Sequence, residues 1–153
     1  MARSRATGTF RRILHPSDFS PAARPAFRKA VELAKANGAE LVITHVLPVL
    51  PLLPDAYVAA STYNEMLAAQ RASGQKQLDR LVVAAKAAGA RASGALLDFA
   101  IPADAIARLA KSHRTDVIVI GTHGRTGFQR ALMGSVAARV IALAPCPVLT
   151  VHA

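Results

Sequence analysis

Val117-Ile118-Val119-Ile120 runs into Gly121-Thr122-His123-Gly124, and after nine further residues Gly134-Ser135 opens an alanine-rich segment. A β-branched run emptying into paired glycines has the pattern of a buried strand followed by a loop that exposes its backbone amides. Gly-Ser ahead of Val136-Ala137-Ala138 has the pattern of a helix N-terminus. The first N–H groups of a helix lack intrahelical partners and lie at the positive end of the peptide dipoles, so this unit makes a cradle for an anion, above all a phosphate. Glycine permits close backbone approach, and the Ser135 hydroxyl either caps the helix or donates to a phosphate oxygen. No Asp or Glu follows Asp116, whereas Arg125, Arg130 and Arg139 do, so nothing local repels negative charge. The pattern is neither a P-loop, which ends in Gly-Lys-Ser/Thr, nor a G-x-G-x-x-G dinucleotide fingerprint. Without a ligand, the same glycines would serve only a tight strand-to-helix turn.

Working outward, apolar periodicity predicts strands over 13–16, 41–47, 92–99, 116–120 and 148–151, and helices over 20–38, 61–88, 102–113 and 134–144. Ser20-Pro21 and Pro102 are start signals; Gly38 and Gly89 are stop signals. A Pro-rich apolar stretch over 48–60 separates the second strand from the long helix, and it suits a lid, a dimer contact or core. Strands alternating with helices imply right-handed crossovers. The expected architecture is one doubly wound α/β domain over 1–153: a five-stranded parallel sheet in the order 3-2-1-4-5, helices on both faces, and a basic tail over 1–10.

Composition bounds the function. A chain of 153 residues, 52% hydrophobic, is long enough for one substantial core. Its single cysteine, Cys146, excludes an internal disulfide and points to a reducing compartment. Between Pro145 and Pro147, it is expected to be a small buried residue rather than a reactive thiol. The basic start carries no apolar leader, and the densest apolar run is broken by Pro48, Pro51, Pro54 and Asp55, so a cytoplasmic protein without membrane attachment is expected. A net charge of +10 raises nucleic acid as a partner, but with aromatics at 5% and no basic run interleaved with stacking rings, a solvated basic surface is the stronger expectation.

Open α/β sheets bind ligands beyond the carboxyl ends of their strands, where strand order reverses. In the expected order that point lies between strands one and four, which brings Asp18 beside the Gly121 loop. A carboxylate there would accept from ribose hydroxyls or an adenine amine, which suits a nucleotide with its base and sugar towards Asp18. The same Asp18-Phe19-Ser20-Pro21 segment also suits a helix cap, and the two roles are compatible. Val46, closing strand two, is either an apolar wall for a base or core.

These residues resemble the universal stress protein family over nearly the whole chain. The resemblance is carried by Ile13-Leu14-His15-Pro16-Ser17-Asp18-Phe19-Ser20, His45-Val46, the run Asp116 to Gly124, and Pro145-Cys146-Pro147-Val148-Leu149. The G-x2-G-x9-G-S/T pattern of the family's ATP-binding branch is complete as Gly121, Gly124, Gly134 and Ser135. The resemblance implies an adenine nucleotide alpha hydrolase-like fold. It also implies adenine and ribose contact by Asp18 and Val46, an entrance shaped by Pro16 and Ser17, and ribose and phosphate contact by Gly121, Gly124, Gly134, Ser135 and the Val136 amide. His123 and Arg125 stand in loop positions that touch the nucleotide in such proteins. The implied ligand is ATP, or AMP or ADP, with or without Mg, and the implied assembly is a homodimer through the last strand, Val148–Val151; an edge strand with unpaired amides invites a partner.

Fast phosphoryl transfer needs carboxylate-held metal and a group that positions the nucleophile. No carboxylate follows Asp116, and His123, the one candidate base in the loop, better suits a hydrogen-bonding or surface role. The expected function is therefore an ATP-binding stress-response or regulatory module with at most slow ATP hydrolysis and no assigned catalytic residue or metal site. The alternatives are a nucleotide-free homodimeric interaction protein and, more weakly, a nucleic-acid-associated basic protein.

Overall fold

The computed structural model describes residues 9–49, 59–123 and 133–153. Strands β1 (Arg12–Pro16), β2 (Glu40–Val46), β3 (Arg91–Leu97), β4 (Val117–Gly121) and β5 (Val148–Val151) alternate with helices α1 (Arg24–Asn37), α2 (Ala60–Ala87), α3 (Pro102–Ser112) and α4 (Ser135–Leu143). The strands form one sheet in the order β3-β2-β1-β4-β5, and every neighbouring pair is parallel.

Side chains alternate across a strand, so each strand feeds two cores. Ile13, Leu41, Ile43, Val117 and Val119 pack against Ala30, Val31 and Ala34 of α1 and Leu78 and Ala85 of α2. Leu14, Val46, Ile118 and Ile120 pack on the other side against Ala103, Ile106 and Ala110 of α3 and Ala137 and Val140 of α4. Each fully buried aliphatic side chain contributes about 1.5–3 kcal/mol. Among the described residues, no helix is long and apolar enough to cross a membrane.

The expected first helix starts differently. Pro21–Ala23 forms a single 3-10 turn, and the α-helix begins only at Arg24. Pro25 has no N–H, so the Pro21 carbonyl cannot receive an α-type bond and takes the Arg24 N–H instead. At the far end Gly38, at φ 62°, closes α1 in the left-handed conformation, its N–H reaching the carbonyls of Ala34 and Lys35.

Helix α2 buries little of its length: Gly74, Leu78 and Ala85 are its buried residues. Glycines at two separate points let it sit close to the sheet. A Cβ on Gly94 of β3 would stand 3.0 Å from Leu78 Cγ, and one on Gly74 would stand 3.0 Å from Leu47 Cδ2.

Candidate functional site

Beyond the carboxyl ends of β1, β2 and β4 lies a cavity of about 370 Å³, within the roughly 300–1,000 Å³ of small-molecule sites. It occupies the place where strand order reverses. There the sheet itself opens: β1 and β4 are matched only at Ile13 with Val117 and Leu14 with Ile118, whereas β1 and β2 stay in register as far as Pro16 with Thr44. Two residues end the β1–β4 ladder. Pro16 has no N–H to give. His15, wholly buried, turns its ring to the carbonyl of Val119, with Nδ1 2.9 Å from that oxygen. A carbonyl only accepts, so Nδ1 carries the proton. Burial holds the His15 pKa down at about 4 despite the Val119 bond and the nearby Asp18 charge, and the ring is neutral at neutral pH.

The turn after β1 is fixed by short polar contacts. The Ser17 N–H donates to Thr44 O at 2.8 Å, and the Ser17 carbonyl accepts from His45 Nδ1 at 2.8 Å. Ser17 Oγ accepts the Phe19 N–H at 3.2 Å and Asp18 Oδ1 accepts the Ser20 N–H at 3.0 Å. These bonds hold Phe19 at φ 63°, a left-handed conformation that a bulky side chain rarely adopts, and its ring lies 4.3 Å from that of His45. The expected cap at Asp18 thus takes the form of a turn onto Ser20 rather than a cap on α1.

The opposite wall is the start of α4. Gly134 is its N-cap; among the described residues no side chain caps the first turn, which contains no acidic residue. Ser135 is the first helical residue, so its hydroxyl does not cap, and the capping role weighed for it is not realised. The Gly134 N–H donates to the carbonyl of Thr122 at 2.6 Å, which pins the helix start to the end of β4. Gly134 adopts φ −59° and ψ 151°, which any residue can occupy, and a Cβ on Gly121 would meet nothing nearer than 3.6 Å. The packing around Gly121 therefore leaves room for a side chain, and the backbone angles of Gly134 do not demand glycine.

Pro16, Ser17, Asp18, Val46, Gly121, His123, Gly134, Ser135 and Val136 all line the cavity. Gly124 and Arg125 lie outside the described residues, as does most of the Pro-rich stretch. The remaining lining is largely apolar: Pro48, Pro102 and Ile106 stand with Val46 on the β2 and α3 side, and Ile120 and Ala137 on the β4 and α4 side. One end is thus suited to a flat apolar group and the other to an anion. Among the described residues, no group of three or more His, Cys, Asp or Glu side chains is placed to hold a metal ion.

Comparison with known proteins agrees with this architecture. The model of the universal stress protein family matches residues 9–152. The chain belongs to that family. A universal stress protein of Methanocaldococcus jannaschii is 33% identical over 142 residues, covering 93% of this chain and 82% of the relative. The structure of universal stress protein UspA from Lactobacillus plantarum, 28% identical, superposes with a TM-score of 0.77 and covers 93% of this chain and 97% of its own. That of the universal stress protein from Archaeoglobus fulgidus in complex with dAMP, 26% identical, superposes at 0.64 and covers 92% and 96%.

Three polar residues of this universal stress protein were not singled out from its sequence. His15, Thr44 and Thr122 are at most 1% exposed. Each interrupts or closes an apolar strand, and that position was the available signal: a polar side chain inside a buried run must find a partner. Thr44 Oγ donates to Ala95 O at 2.7 Å. Cys146 departs from expectation in the other direction. It is half-buried, in the loop before an edge strand, yet burial still pushes its thiol up, away from the reactive thiolate.

Proposed function

We propose that this universal stress protein is an adenine-nucleotide-binding stress-response module, cytoplasmic and homodimeric through β5, that takes ATP, or AMP or ADP, with at most slow hydrolysis. The observation that carries the proposal is the start of α4, without a side-chain cap among the described residues, opening onto a largely apolar cavity beside Gly121 and Gly134. Orphan amides of a first helical turn are satisfied by phosphate oxygens. The base would lie against Val46 and Ile106, with Asp18 accepting from the ribose and Pro16 and Ser17 shaping the entrance. Gly121, His123, Gly134, Ser135 and Val136 would serve the phosphates, and Gly124 and Arg125 are proposed with them from the sequence motif. The dAMP carried by the Archaeoglobus fulgidus relative supports an adenylate as ligand.

Asp18 is the carboxylate among the described lining residues, so Mg²⁺ arriving with ATP would be held mainly by phosphate oxygens and water. That arrangement suits binding better than fast phosphoryl transfer. For the dimer, β5 is a sheet edge, and Leu149 on it and Ile141 and Leu143 on α4 are exposed large apolar residues. Isothermal calorimetry with ATP, ADP and AMP at physiological salt tests the proposal. Binding should be accompanied by a rise in melting temperature that grows with ligand concentration; at a hundredfold excess over Kd the stabilisation is about 2.7 kcal/mol. No heat and no thermal shift with any of the three would favour a nucleotide-free interaction protein.

A further inference from the structure

Thr122, just past β4, gathers three acceptors or donors around one hydroxyl. Its Oγ lies 2.9 Å from Nδ1 of His123, 3.2 Å from Nδ1 of His152 and 3.5 Å from the carbonyl oxygen of Val151. A hydroxyl has one proton and two lone pairs. If it donates to one imidazole it can only accept from the other. The two rings occupy different places. His123 lines the cavity, and its Nε2 is buried and without a hydrogen-bond partner among the described residues. His152 is exposed and follows β5 at the edge of the sheet.

We infer that Thr122 is a positioning residue that sets the tautomer of His123 for an anion in the crevice, and that it passes the occupancy of the crevice to His152 at the sheet edge. This inference rests on the nucleotide site proposed above. A phosphate oxygen next to His123 requires a donor, and the nitrogen without a partner among the described residues is Nε2. A neutral imidazole protonated at Nε2 has a bare Nδ1, which takes the Thr122 proton. The Thr122 oxygen then accepts from Nδ1–H of His152. Without the anion nothing selects this direction: His123 can donate from Nδ1 while the Thr122 proton turns to His152 or to Val151. Ligand binding therefore selects one direction for a chain of two hydrogen bonds with no net charge change in either ring. His152 is left presenting the lone pair of Nε2, not its N–H, beside the edge strand.

The backbone of Thr122 is held independently of its hydroxyl. Its N–H donates to Val151 O at 3.0 Å and its carbonyl accepts from Gly134 N–H. Thr122→Val should therefore fold while removing the relay, and Thr122→Ser should keep it.

The test is long-range proton–nitrogen NMR of the full chain labelled with ¹⁵N-histidine, with AMP as the probe. The spectra are recorded at mildly alkaline pH. Saturating AMP should place the His123 proton on Nε2 and move His152 towards protonation at Nδ1. Thr122→Ser should reproduce the response. Thr122→Val should bind AMP about three- to tenfold more weakly, with a His152 signal indifferent to it. A wild-type His152 that stays unchanged while calorimetry on the same sample records AMP binding would overturn the coupling and leave the proposed function standing. So would a response that survives in Thr122→Val, or an imidazolium at His123 in the complex. Failure of AMP, ADP and ATP alike to bind would remove the proposed function and this inference together.

Discussion

The two ends of the β1–β4 strand pair are built to opposite purposes. At the amino end, Asp116 Oδ2 accepts the N–H groups of Arg11 and Arg12 at 2.7 and 2.8 Å, and its own N–H donates to Arg12 O at 2.8 Å. The neighbouring Glu40 N–H donates to Arg11 O at 2.9 Å. At the carboxyl end, the ladder stops after Leu14, a histidine ring takes a strand carbonyl, and the helix that starts there carries no side-chain cap. One carboxylate closes the amino end, while among the described residues no side chain caps the helix at the end that opens.

Four perturbations break or sharpen this contrast. The largest is the titration of His15 at the open end. Its folded pKa of about 4 lies below the unfolded value of about 6.5, so the unfolded chain binds the extra proton between those values. Stability should be fully present above the unfolded value, fall as pH drops through that window by on the order of 3 kcal/mol, and lose nothing more from this group below about 4. Chemical denaturation of wild type and His15→Gln across the window isolates the contribution. A variant with the same pH slope as wild type would contradict it.

Next is Ser135→Pro. Proline is favoured at the first helical position, and the preceding Gly134 already holds a conformation that tolerates a following proline. The substitution removes one amide and one hydroxyl from the cradle but leaves α4 in place. Affinity for AMP should fall about ten- to a hundredfold by calorimetry, while thermal stability should change by no more than about 0.5 kcal/mol. Asp116→Ala is the mirror experiment at the closed end. It removes two hydrogen bonds at an exposed site, whose backbone donors turn to water, and should cost about 1 kcal/mol in denaturant melts with AMP affinity unaltered. The smallest effect on stability is expected from Gly121→Ala, whose new Cβ meets only ordinary contacts: about 0.5 kcal/mol or less in the same melts.

Much of this contrast was legible in the sequence. Strand and helix order follow from apolar periodicity because buried parallel strands such as Val117-Ile118-Val119-Ile120 are continuous apolar runs. Asp18 and Gly121 were placed together because topology alone sends both to the switch point. Other features depend on tertiary partners. Asp116 has the pattern of a strand start, and its clamp on Arg11 and Arg12 appears only once β1 lies beside β4. The 3-10 turn before α1 was readable from Pro25 standing four residues after Pro21, a signal that the Ser20-Pro21 start masked. The ring of His15 and the left-handed backbone of Phe19 were not readable, because each is imposed by a neighbour distant in sequence: Val119 for the first, and His45, through Ser17, for the second. Gly74 and Gly94 likewise gain their meaning only where α2 crosses β3.

The most direct measurement is a crystal structure of this chain grown with AMP. The phosphate should lie within hydrogen-bond distance of the Ser135 and Val136 amides, with the adenine between Val46 and Ile106. A nucleotide seated elsewhere on the molecule, or a cavity without it in crystals of protein that binds AMP in solution, would contradict the account.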